Sequence, residues 1–165
     1  MARSPFLIQT VCTGNICRSP MAAAVLAAFF DDAVWSGRVR IGSSGVSAEE
    51  HGNPIDPRAA RALRRRGYSP DLGHRAHRIT REEIETTDLI LPATFHHYRA
   101  LTARGADRGA VKMMRQFDPA AAGTPPGFAL DIEDPWYGVD QDFDIALDQI
   151  EAAAPGVVEY VRGRI

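Results

Sequence analysis

This chain of 165 residues contains only two cysteines and one lysine. Two cysteines cannot build a disulfide scaffold, and a reactive thiol needs a reducing compartment. The lone lysine, Lys112, leaves arginine to carry the positive charge, with no mechanistic consequence. A net charge of −2 and a pI near 6.2 exclude a nucleic-acid binder driven by phosphate neutralisation. No apolar run approaches membrane-spanning length. The opening Met1-Ala2-Arg3-Ser4-Pro5 leads directly into a strand-like run too short for a signal peptide's apolar core and cleavage site. The expectation is a cytoplasmic protein with neither nucleic acid nor membrane as partner. With 45% hydrophobic and 24% charged residues, the chain suits one globular domain over residues 1–165.

What the sequence does contain is concentrated between Val11 and Pro20: Val-Cys-Thr-Gly-Asn-Ile-Cys-Arg-Ser-Pro. The apolar run Phe6–Val11 precedes it and Met21-Ala22-Ala23-Ala24-Val25-Leu26 follows, so the order reads strand, tight loop, helix. Such a loop aims backbone N–H groups and a helix N-terminus at one point, which suits a phosphate-sized anion. Arg18 adds a planar fork for two of that anion's oxygens. Cys12 lies at the floor of the same cradle, where positive dipoles suit a thiolate, the attacking form of cysteine. Gly14 and Asn15 tolerate the positive φ that a curled loop demands. Ser19 can cap the helix or donate its hydroxyl to a thiolate, and Pro20 fits the first helical position. The blander readings are a buried structural Cys12, or a Cys12–Cys17 disulfide that would leave Arg18 without a purpose.

Apolar strands alternate with amphipathic helices along the chain. Strands are expected at Pro5–Val11, Arg38–Ser43, Asp88–Leu91 and Ala110–Met114. Helices are expected at Ser19–Phe30, Asp56–Arg66, Arg81–Glu85, Phe95–Ala103 and Asp142–Val161, the last bent or divided by Pro155. Thr80-Arg81-Glu82-Glu83 reads as a capping box, with Ile79 and Ile84 as a hydrophobic staple. This alternation implies an α/β fold, a parallel sheet with helices on both faces, with ligand at the carboxyl ends of the strands. Arg61–Arg66 reads as a solvated helix face with Leu63 inward. His74, His77, His96 and His97 lack metal-ligand spacing and read as structural or surface residues.

The Val11–Pro20 run resembles the signature of the low-molecular-weight protein tyrosine phosphatases at every fixed position. Asp134-Pro135-Trp136-Tyr137-Gly138 resembles that family's second signature, and the resemblance covers about residues 5 to 163. It implies a three-layer sandwich around a four-stranded parallel sheet, with the phosphate loop after strand 1. It also implies hydrolysis of phosphotyrosine with Cys12 as nucleophile and Asp134 as acid and then base. Asp131 and Glu133 are competitors for the latter role by chemistry alone. Thr13, Gly14, Asn15, Ile16, Cys17, Arg18 and Ser19 would hold the phosphate, with Asn15 shaping the loop through hydrogen bonds that include Ser43. No metal or organic cofactor is implied, because the cradle supplies the charge. The partner would be a tyrosine-phosphorylated protein, a bacterial tyrosine kinase being one candidate, and the enzyme a monomer.

Two departures from the family pattern bear on substrate choice. Val46-Ser47-Ala48-Glu49-Glu50 lacks the aromatic wall that relatives often carry there, and Pro92-Ala93-Thr94 replaces a Met-Asp or Leu-Asp pair. Trp136, with Tyr137, would supply the substrate pocket's aromatic wall from the other side. Among rival functions, an arsenate reductase would need further downstream cysteines. A protein-arginine phosphatase would favour a small polar residue where Ile16 stands. A silent phosphoprotein-binding module would not need all the catalytic elements.

Overall fold

The computed structural model describes residues 3–165; residues 1 and 2 of the expected domain lie outside the described residues. Three parallel strands, β1 (Phe6–Cys12), β2 (Val39–Gly45) and β3 (Leu89–Pro92), form a sheet in the order β2-β1-β3. Side chains alternate across it with the two-residue period of a strand. Ile8, Cys12, Leu89 and Leu91 join one apolar cluster, and Val11 and Ile90 join the other. On the first face lie α1 (Arg18–Phe29), α2 (Pro57–Arg65) and α5 (Asp140–Arg162), contributing Val25, Leu63 and Leu147. On the second lie α3 (Arg81–Thr86) and α4 (Phe95–Ala103), contributing Ile84 and Leu101.

Among the described residues the sheet has three strands rather than the expected four. The segment expected at Ala110–Met114 reaches β3 only through an isolated parallel bridge between Ile90 and Val111. Ile90 N–H donates to Ala110 O at 2.8 Å and Lys112 N–H to Ile90 O at 3.0 Å. The ladder stops there because the next β3 residue facing this segment, Pro92, has no N–H to donate, and the chain turns into a 3₁₀ helix at Met114–Phe117.

Two helix details also differ from expectation. The first helix begins at Arg18, with Cys17 as N-cap and no side-chain cap, so Pro20 is the third helical residue. It sits in the first turn, where no intrahelical acceptor is lost. α5 runs unbroken through Pro155, whose ring is on the exposed side while Ala153 and Ala154 are buried. The basic run on α2 has Leu63 inward as expected, yet Arg66 is engaged with α5, donating to Glu151 at 2.6 Å and to the Asp144 carbonyl at 3.0 Å.

The expected capping box at Thr80 is present, with Thr80 Oγ1 accepting from Glu83 N–H and Glu83 accepting from Thr80 N–H. A second box starts α4. Thr94 Oγ1 accepts from His97 N–H at 3.3 Å, and His97 Nδ1 accepts from Thr94 N–H at 3.2 Å. His97 is 1% exposed. Burial pulls its pKa down to about 3, and the charge of Arg18 and neighbouring His96 act in the same direction.

Below the ordinary histidine pKa of 6.5, the unfolded chain protonates His97 while the folded chain does not, down to about pH 3. Stability is therefore lost as pH falls through that window, by at most ~1.4 kcal/mol per pH unit. Between pH 7 and pH 5 the wild type should lose about 2 kcal/mol more than His97→Gln in urea titrations. Equal losses would mean that His97 takes up its proton in the folded protein.

Candidate active site

Residues 13–17 form the loop between β1 and α1, at the carboxyl end of the central strand. Its carbonyls are turned toward the protein: Thr13 O accepts from Ser47 N–H, Ile16 O from Asp56 N–H, and Cys17 O from Met21 N–H. Asn15 O lies 2.6 Å from His74 Nε2. Among the described residues, no backbone N–H from Gly14 to Cys17 donates to a protein acceptor. A run of unpaired amides beside a helix start makes a nest for an anion.

Asn15 holds this shape. It is fully buried, and it has the one positive φ (64°) of any non-glycine among the described residues. Its Nδ2 donates to Ser19 Oγ at 2.9 Å and to Ser43 Oγ at 3.0 Å, and its Oδ1 accepts from His77 N–H at 3.1 Å. Ser19 Oγ also lies 3.1 Å from Cys12 Sγ. Since Ser19 Oγ accepts from Asn15, its own proton is free to serve the sulfur. Of the two roles open to Ser19, the structure therefore has the hydroxyl at Cys12 rather than on the helix end. Gly45, paired with Cys12 in the sheet, has no room for a Cβ because the Thr13 carbonyl occupies that space.

Arg18 is 4% exposed and reaches from the start of α1 to the segment at residues 132–134. One terminal nitrogen donates to Ile132 O at 2.9 Å; the other lies 3.4 Å from Asp134 Oδ2 and 3.5 Å from Thr13 Oγ1. Arg18 Nε is buried and has no partner among the described residues. A buried N–H of a guanidinium without an acceptor is costly, and an anion in the loop would remove that cost. Of the three carboxylates near the second motif, Asp134 is the one paired with Arg18. Asp131 is occupied, accepting from Phe95 N–H at 2.8 Å, and Glu133 is exposed.

A cleft of about 460 Å³ opens over Cys12 and Arg18. Trp136 and Tyr137 line one side, their rings edge to face with centroids 4.9 Å apart. Ile16 is half-buried in the lining, and Glu49 and Glu50 stand where the aromatic wall is missing. Cys17 also borders the cleft; burial, with the Asp56 carboxylate adding to it, pushes its thiol far above the ordinary range. Burial acts to raise Asp56, but the hydrogen bonds from Arg58 outweigh it and hold its carboxyl below the usual range. Arg58 in turn donates to Trp136 O at 3.2 Å, tying the Asp134–Tyr137 turn to the start of α2.

The two signatures read from sequence thus meet, 116 positions apart (134 minus 18), at the Arg18–Asp134 pair. The sequence reading grouped His97 with structural and surface histidines, but its Nε2 reaches Thr13 Oγ1 at 2.8 Å inside the site. The signal that could have found it is Thr94-x-x-His97, a helix start in which the third residue must turn back toward its cap. Arg58 was also missed; the Asp56-Pro57-Arg58 helix start gives no sign of its reach to Trp136.

The family model described as "Low molecular weight phosphotyrosine protein phosphatase" matches residues 7–164. A curated relative, low molecular weight protein-tyrosine phosphatase A of Mycobacterium tuberculosis (strain ATCC 25618 / H37Rv), is 39% identical over 98% of this chain and 94% of its own length. Among solved structures, Vibrio vulnificus Wzb in complex with benzylphosphonate superposes with a TM-score of 0.78 at 26% identity, covering 94% of this chain and 98% of that one. The YwlE arginine phosphatase from Geobacillus stearothermophilus reaches 0.77 at 27% identity, covering 96% and 94%. Such a match, running from the second residue of β1 into the turn that ends α5, means that this chain belongs to the low molecular weight phosphotyrosine protein phosphatase family.

Proposed function

We propose that this protein hydrolyses phosphotyrosine in phosphoproteins through a cysteinyl-phosphate intermediate. The observation that carries this reading is the set of unpartnered donors beside Cys12: the N–H groups of Gly14 to Cys17 and Arg18 Nε. Cys12 Sγ attacks phosphorus as the thiolate, the P–O bond to tyrosine breaks, and the Asp134 proton goes to the leaving oxygen. Asp134, now a carboxylate, takes a proton from water as that water attacks the thiophosphate, releasing orthophosphate and restoring the Cys12 thiolate. Loop amides and Arg18 stabilise the equatorial oxygens throughout. Cys17, with its raised pKa, is a protonated thiol at neutral pH and does not compete as nucleophile.

The chain is read as a single domain that works as a monomer in the reducing cytoplasm, with a bacterial tyrosine kinase as one candidate substrate. Two free cysteines, Cys12 at the end of β1 and Cys17 at the far end of the loop that follows, support a redox role. Peroxide would convert the Cys12 thiolate to a sulfenic acid; the Cys17 thiol would then attack that sulfur, its proton going to the departing hydroxyl, to give a disulfide and water, and a dithiol would reduce the disulfide. Recovery after peroxide should fail in Cys17→Ser while initial activity survives. Equal recovery in both proteins would leave Cys17 with a packing role alone.

With an aryl phosphate, Cys12→Ser should abolish turnover, and Arg18→Lys should be severely impaired because a point charge lacks the bidentate fork. Asp134→Ala should slow turnover by roughly 10²–10⁴, the range of general acid catalysis, with a smaller loss for very acidic leaving groups. Retained turnover in Cys12→Ser would end this assignment. For substrate choice, kcat/KM should favour phosphotyrosine peptides over phosphoserine and phosphoarginine peptides. Trp136→Ala should lower the phosphotyrosine value several-fold, in keeping with ~0.5–1.5 kcal/mol per aromatic pair. A wild-type preference for phosphoarginine would move the protein to the other branch of the fold.

A further inference from the structure

His97 is a buried ionisable side chain that this reaction scheme does not use. Its Nδ1 accepts from Thr94 N–H at 3.2 Å and lies 3.0 Å from Thr94 Oγ1. A backbone N–H can only donate, so Nδ1 carries a lone pair and the ring proton sits on Nε2. Nε2–H therefore donates to Thr13 Oγ1 at 2.8 Å. A terminal N–H of Arg18 faces the same oxygen at 3.5 Å. A hydroxyl has two lone pairs and one proton. With N–H donors facing the lone pairs, the Thr13 proton must point elsewhere. Thr13 is half-buried and lines the cleft together with Cys12 and Arg18.

We propose that His97 is a positioning residue: by donating to Thr13 Oγ1 it turns the Thr13 hydroxyl proton toward the cleft, where it becomes a side-chain donor for a phosphoryl oxygen. The proposal rests on the phosphatase reading for its ligand. The arrangement persists at neutral pH because the ring stays uncharged. The ionisable groups that act on it, Arg18 and His96, both disfavour the imidazolium. A protonated ring would set Nδ1–H against Thr94 N–H, donor against donor.

The test uses four variants of the full chain. Thr13→Val removes the hydroxyl. His97→Phe fills the volume without a donor. His97→Gln offers an oxygen to Thr94 and an amide N–H to Thr13, and the fourth variant combines Thr13→Val with His97→Phe. Orthophosphate Kd is measured by titration calorimetry, kcat and KM with p-nitrophenyl phosphate, and Tm for each protein. Thr13→Val and His97→Phe should each weaken orthophosphate binding by about tenfold or more, the value of one hydrogen bond to a charged group. kcat/KM should fall by a similar factor. The double variant should be no worse than either single one, and His97→Gln should stay within about twofold of wild type.

Additive losses in the double variant would overturn the proposal, as would a Thr13→Val protein that binds orthophosphate like wild type. A lowered Tm in His97→Phe with unchanged Kd would reduce His97 to a helix cap and also overturn it. Should His97→Phe not fold, Thr13→Val against His97→Gln still decides: the first must lose affinity and the second must keep it. A wild type that shows this binding pattern but no turnover would uphold the His97 assignment and overturn the phosphatase reading instead.

Discussion

The site depends on one buried amide side chain. Asn15 places its backbone in the left-handed region, and its side chain makes three hydrogen bonds inside a solvent-free pocket. Without those bonds the loop would carry both the strain of a positive φ and an unsatisfied buried amide. With them, the chain can turn so that Gly14 to Cys17 keep their N–H groups free while their neighbours' carbonyls are satisfied by other segments. The Asn15 bonds reach β2 through Ser43, the segment before α3 through His77, and Cys12 through Ser19. The loop is thereby held from three directions.

Arg18 is the second constraint, and it acts as a beam between distant parts of the chain. One nitrogen is fixed by the Ile132 carbonyl and the other faces Asp134, so the guanidinium has little freedom to rotate. This leaves Nε as the unused donor, buried and directed by the geometry of its own group. Fixing the guanidinium before any anion arrives means that little ordering cost remains at binding, which is the sense in which an electrostatic site is preorganised. Arg58 performs a related task at the rim, since its bonds to Asp56 and Trp136 O connect the base of the loop with the aromatic wall.

Both apolar clusters serve this arrangement by fixing the sheet between them. Because β1 is the central strand, its end cannot move without disturbing β2, β3 and the helices on both faces. Close packing makes such a displacement costly. Cys12 thus sits at the end of the central strand, packed from both faces, while Trp136 and Tyr137, at 47% and 82% exposure, form a solvent-facing wall of the cleft.

Much of this was legible in the residues themselves. The alternation of apolar runs with 3.6-period segments marked all three strands and all five helices, and the Cys12–Arg18 spacing marked the loop between β1 and α1, because these are local properties of a chain. The fourth strand is not such a property: Ala110–Met114 is apolar enough for a strand, but ladder length depends on the facing chain, where Pro92 has no N–H for the bond after those of Ile90. The unbroken course of α5 through Pro155 was likewise undecidable locally, since it depends on that ring facing water while Ala153, Ala154 and Val157 are buried. The sequence alone determined which groups the site has available, Cys12, Arg18 and the carboxylates around Asp134 among them. Tertiary structure alone decided which of Asp131, Glu133 and Asp134 meets Arg18, and that His97 bonds to Thr13. Those contacts join residues 84 to 116 positions apart, and their geometry is set by helix and sheet packing rather than by any local preference of the chain.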